Sequence, residues 1–184
     1  MKIRELLAAA ALMILASPVT AATLCMSAAS ADLAPSATAS ADLKHNDGGS
    51  QQYWTADFDP ATDEPIIISG WHWPDANPAT VTAIVWWKSA SGTSTNDVIF
   101  DVSIGCAGAT VEWDTLVFST PVVSVTDAGL GTATLMNATS ATGAITPAGS
   151  AASVPCAIKI NRDADNVGDT LAVDAQVVGV CLTY

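Results

Sequence analysis

At 184 residues, half of them hydrophobic, the chain can fill one substantial core, which bounds it to a single domain with extensions. It carries 18 acidic residues against 6 Lys+Arg, a formal net charge of −12 at pH 7. Such a surface repels phosphate backbones and anionic headgroups, which argues against nucleic acid and membrane surfaces as partners.

The chain opens on Met1-Lys2-Ile3-Arg4, then the apolar run Leu6 to Ala16, then Ser17-Pro18-Val19-Thr20-Ala21. This is the layout of a secretory signal peptide (1–21) cleaved after Ala21, and the run is too short to span a bilayer. Glu5 departs from the pattern, and Leu24 before Cys25 does not suit lipid attachment. Cleavage removes Lys2, Arg4 and Glu5 and leaves 4 basic residues against 17 acidic. The address implied is secreted, cell-surface or virion. The alternative is a true start at Met26, which would place assembly of a virion component in the cytoplasm.

Residues 22–52 read as a linker. Ala, Ser and Thr dominate 22–42, a composition that buries too little apolar area to offset its ordering entropy. Asn46-Asp47-Gly48-Gly49-Ser50 extends it, and the domain, 53–184, is expected to begin at Tyr53-Trp54.

From there the period is two. Val81, Ala83, Val85 and Trp87 alternate with Thr82, Ile84 and Trp86; Val98, Phe100, Val102 and Ile104 alternate with Ile99, Asp101 and Ser103; Val111, Trp113 and Thr115 alternate with Glu112 and Asp114. Polar turn clusters such as Ser89–Ser94 and Asp127–Gly131 separate the runs. Strands are predicted over 53–58, 65–71, 79–88, 97–105, 110–118, 121–126 with 131–138, 153–161 and 175–183. The fold class is all-β: a two-sheet antiparallel β-sandwich in jelly-roll order.

The six tryptophans, Trp54, Trp71, Trp73, Trp86, Trp87 and Trp113, all fall between residues 54 and 113. Trp71 and Trp73 share a face of an extended segment, and Trp86-Trp87 cannot both point inward. These four are candidates for stacking on a surface glycan, although core or interface packing is the simpler role for such large rings.

The Asp163–Asp174 loop places Asp163, Asp165, Asp169 and Asp174 at spacings that partly match a calcium loop. Val167 sits where a ligand oxygen belongs, and pairing of Asp163 or Asp174 with Arg162 explains the residues more cheaply. No metal or other cofactor is expected.

Four cysteines, 25, 106, 156 and 181, suggest disulfides in an oxidising compartment. A symmetric hairpin of 153–161 and 175–183 would set Cys156 opposite Cys181, the favoured pair; Cys106 could take either partner instead. Against the hairpin register, Cys181 lies off the apolar face of Val178, Val180 and Leu182. No catalytic motif is present: no G-x-S-x-G, no H-E-x-x-H, no phosphate loop, and His72 has no marked partner. Glu112 and Asp114 share a strand face with an ordinary wet pattern, unlike two carboxyls facing each other across a glycoside. The chain is not expected to be an enzyme.

Several stretches carry a resemblance. They are Trp54–Asp59 with Thr62-Asp63-Glu64, Val81–Trp87, Asp97–Phe100, Val125-Thr126-Asp127, Ala144–Gly149 and Arg162–Tyr184. Together they resemble the small β-sandwich domain of uncharacterised structural proteins of tailed and environmental phages, over roughly residues 53–184. The resemblance implies a non-enzymatic virion or appendage module acting by self-association as a homo-oligomer, with no transferable site residues. The signal peptide and the cysteines depart from that family and point to an exported cellular protein using the same domain. An exported carbohydrate-binding module is the alternative.

Overall fold

The computed structural model describes residues 21–33, 42–46, 53–73, 78–91, 95–108, 111–133, 135–149 and 154–184. The predicted signal segment, apart from Ala21, lies outside the described residues. Two antiparallel sheets pack face to face. The first orders β3 (Asp42–Asn46), β4 (Tyr53–Phe58), β11 (Ala175–Thr183), β6 (Thr82–Ser89) and β9 (Asn137–Ala138), with β1 (Thr23–Ser27) also paired to β11. The second orders β2 (Ala31–Leu33), β5 (Glu64–Trp71), β10 (Cys156–Arg162), β7 (Asp97–Cys106) and β8 (Val123–Ala128).

The period-two pattern fills the space between the sheets. Val81, Ala83, Val85 and Trp87 face inward from the first sheet, and Val98, Phe100, Val102 and Ile104 from the second. Phe100 meets both Phe58 and Trp87 across the gap, at ring centroid separations of 6.1 and 5.9 Å. In β11 a bulge between Val177 and Gly179 turns one extra residue aside. Ala175, Val177, Val180 and Leu182 are thereby all buried, and Cys181 points away from the core.

Three expectations are corrected. First, 22–52 is not all linker: β1, β2 and β3 lie within it. Ala22 exchanges both backbone hydrogen bonds with Tyr184, and the turn at Ala28–Ser30 carries the chain from the first sheet to the second with Ala28 fully buried. Small residues succeed here because they finish an existing core instead of building one. Gly179 shows how close the approach is, since a Cβ there would collide with the carbonyl oxygen of Met26.

Second, of the expected strand 110–118, the described residues 111–118 form no strand. They contain a 3-10 turn, Trp113–Thr115, closed by Thr115 N–H to Glu112 O at 3.1 Å. The alternation has no partner strand to read it; the segment crosses the end of β7, where Gly105 leaves room for Val117.

Third, β10 and β11 are not a hairpin. They lie in opposite sheets, and the chain between them crosses the sandwich. Cys156 faces the core and Cys181 faces outward, so their sulfurs cannot meet. The bridges are Cys106–Cys156 and Cys25–Cys181, each joining directly opposed strand residues with Cα atoms 4.0 Å apart.

Candidate functional site

The crossing between β10 and β11 is built on Arg162, whose side chain is completely buried. Its Nε and Nη2 donate to Asp169 at 2.9 and 2.7 Å; Nη1 donates to the carbonyls of Val173 (3.0 Å) and Phe58 (3.3 Å), and Nη2 to that of Leu171. All five guanidinium donors are used. Asp169 also accepts from the backbone N–H of Ile99 at 3.1 Å and of Leu171 at 3.3 Å. A buried charge pair is tolerated only when satisfied in this way. Phe58 belongs to the first sheet and Arg162 to the second, so the pair ties both sheets to the crossing loop.

This accounts for Asp169 and removes it from the predicted calcium set. Asp174 does not join the remaining carboxylates of the set either. Asp163 and Asp165 do come together, but with Asp63 from the β4–β5 loop. Ligand oxygens of the three lie within 4.8 Å of one another, close enough to share one hard cation. Asp63 Oδ1 accepts from the backbone N–H of Ala164 at 2.8 Å, which fixes the two loops against each other. The charge of Asp63, foremost, raises the carboxyl of Asp165 above its ordinary value, aided by a hydrogen bond with Asp163. Sequence spacing could not reveal Asp63, which comes from a different loop.

Beside this triad the outer face of the second sheet forms a hollow of about 250 Å³, lined by Asp63, Asp101, Ser103, Val122, Lys159 and Asn161. Strand alternation supplies its floor: Asp101 and Ser103 on β7 stand opposite Asn161 and Lys159 on β10. Ser124 Oγ donates to Asp101 at 2.5 Å. Burial, the largest influence, raises the Asp101 carboxyl, while that hydrogen bond opposes the shift. The sequence reading named Asp101 and Ser103 in a strand alternation and Asp63 in the resemblance, but marked none of the six as a site residue.

The tryptophans divide. Trp71 and Trp73 do share a face, but it is the core: their rings meet edge to face at 4.7 Å, and Trp73 meets Tyr184 at 5.0 Å. Trp87 is fully buried, with its indole N–H on Asp127 at 2.8 Å. Trp86, on the outer face of the first sheet, is 41% exposed and is the only exposed ring of the four glycan candidates. Glu112 and Asp114 lie on the exposed turn and not on a strand face.

The two sheets end differently at their edges. Along β6 the first sheet is sealed by 137–145: Thr139 and Thr142 hydroxyls accept from the N–H groups of Val85 and Ala83 at 3.0 and 2.9 Å. At the end of the second sheet, β8 has β7 on one side and no strand on the other among the described residues. Its one charged residue, Asp127, is spent on Trp87, and Val122 and Leu130 stand exposed at its two ends.

No protein-family model and no curated protein matches the chain. Among the described residues no helix is long and apolar enough to cross a membrane, and the two disulfides fit an oxidising environment.

Proposed function

We propose that the protein is a non-enzymatic structural or attachment module, virion-like in architecture, that works by self-association outside the cytoplasm. The observation that carries this reading is the open β8 edge. A six-residue edge strand without an outward charge or a proline within it is a template for pairing with another chain. Pairing with its own copy about a two-fold axis would continue the second sheet through both protomers, an isologous contact. The exposed Val122 and Leu130 at its ends would add apolar burial in a chain whose net charge otherwise opposes association.

The finer points of the proposal have support of their own. The facing orders β4-β11-β6-β9 and β5-β10-β7-β8, with every consecutive pair from β4 to β11 except β7–β8 passing between sheets, support a jelly roll. The pairing of Ala22 with Tyr184, just after the predicted cleavage point, and the two disulfides support an exported mature chain. The test is sedimentation velocity on the native chain and on Thr126→Lys, which places a charge on the exposed face of the edge. Association that Thr126→Lys abolishes supports the edge; association that it leaves unchanged refutes it.

A further inference from the structure

We propose that the hollow on the outer face of the second sheet is a binding site for a neutral polyhydroxylated ligand, a single sugar ring. This site does not rest on the self-association reading, although Val122 borders both the hollow and the β8 edge.

The first observation is that three of its polar side chains, Ser103, Lys159 and Asn161, have no partner among the described residues, whereas Asp101 and Asp63 are held by Ser124 and Ala164. Ser103 is 2% exposed, yet among the described residues its hydroxyl makes no hydrogen bond; nor do the Asn161 amide and the Lys159 ammonium, and Lys159 forms no ion pair. Ser103 Oγ is not among the fully enclosed unpaired atoms of the described residues, Trp73 Nε1 and Asn137 Oδ1, so it opens onto the hollow within reach of an outside partner. The contrast within the same molecule is strong: Arg162 and Asp169, equally buried, are saturated.

The second observation is the mixture of groups. The floor offers carboxylate acceptors from Asp101 and Asp63, donors from Lys159, and groups that do both from Ser103 and Asn161. A sugar hydroxyl donates and accepts at once, so neighbouring hydroxyls can bridge a carboxylate to an amide or ammonium. Val122, exposed on the wall, offers an apolar contact for ring C–H groups. Asp63, Asp163 and Asp165 at the rim and Asp101 on the floor repel an anionic ligand, with Lys159 the one ammonium among the lining residues. A neutral polyol escapes that repulsion and can use the carboxylates as acceptors. At about 250 Å³ the hollow is smaller than drug-sized pockets of roughly 300–1,000 Å³, which limits the ligand to about one ring.

The test is an NMR titration of the native, disulfide-bonded chain with glucose, galactose, mannose and N-acetylglucosamine, each with EDTA present, and with ethylammonium, glycine and inorganic phosphate as cationic, zwitterionic and anionic probes. Tighter binding of ethylammonium than of any sugar overturns the proposal. The expected result is saturable shifts at the amides of 101–103 and 159–161 with at least one sugar. That binding should weaken by about tenfold in Asn161→Ala, a half-buried side chain with no partner among the described residues, whose loss should change the melting temperature little. Ser103→Val, which fills the floor, should weaken it as much; should that variant fail to fold, Lys159→Met takes its place. No saturable shift with any sugar overturns the proposal. So do shifts confined to another part of the chain, tighter binding of glycine or phosphate in the hollow, or wild-type affinity in Asn161→Ala.

Discussion

Replacing Arg162 by Met removes five hydrogen bonds at once and leaves the Asp169 carboxylate buried without its counter-charge. The side chains of both partners are at most 1% exposed, so water cannot compensate either of them. Breaking one half of such a pair costs about 3–5 kcal/mol, a large share of a total stability of roughly 5–15 kcal/mol. For a chain of this size that corresponds to a fall in Tm of roughly 10 °C. Urea unfolding with both disulfides intact is the assay, read as the change in midpoint at constant slope. Removing both charges together, as Arg162→Met with Asp169→Leu, should cost less than the sum of the single changes, because neither variant charge is then stranded. A loss below about 1 kcal/mol for Arg162→Met would refute the view that this pair holds the crossing loop to both sheets.

Non-reducing peptide mapping should recover Cys25 with Cys181 and Cys106 with Cys156; a peptide joining 156 to 181 would contradict the sheet assignment of β10 and β11. By loop length the chain-entropy model assigns the two bridges about 5 and 4 kcal/mol respectively, so Cys106→Ser with Cys156→Ser should unfold at clearly lower denaturant concentration. Thr139→Val and Thr142→Val each remove the acceptor that completes the β6 edge and should each cost about 1 kcal/mol in urea midpoint; a neutral pair of variants would refute the sealing role. The carboxyls of Glu64, Asp101 and Asp127 are raised mainly by burial, and that of Asp165 mainly by the charge of Asp63. A carboxyl raised in the folded state binds more protons there than when unfolded, so stability falls as pH rises through its folded value. Melting temperature should therefore rise as pH falls through the folded values of these carboxyls, above their ordinary range; a steady decrease there would show the sign to be wrong.

How much of this was legible in the sequence depended on whether a signal was local. Alternation in Val98–Ile104 and Val81–Trp87 needed no more than the next residue, so β6 and β7 could be read, and with them the all-β sandwich. The apolar pattern of the last strand misled because a bulge at Val177–Gly179 shifts its phase, which no count by twos can show. Cys181 lay off that face in the sequence, the one clue that it pairs away from the core. The Ala/Ser/Thr composition of 22–42 reads as linker by itself, and only the presence of β11 and Gly179 explains why small residues belong there. Asp63, Ser103 and Lys159 share a site through pairing between distant strands and loops, and nothing in their neighbours along the chain announces it. Trp71 and Trp73 were placed correctly on one face; whether that face was wet or dry was a property of the whole sandwich.

The central claim is that this sandwich acts by associating with itself, and its mass in solution tests that most directly. Light scattering on the native, disulfide-bonded chain should show the mass rise with concentration toward a multiple of the protomer. The rise should be steeper at higher ionic strength, where repulsion between the strongly acidic protomers is screened. A strictly monomeric mass across a wide concentration range, at low and high salt alike, would contradict it.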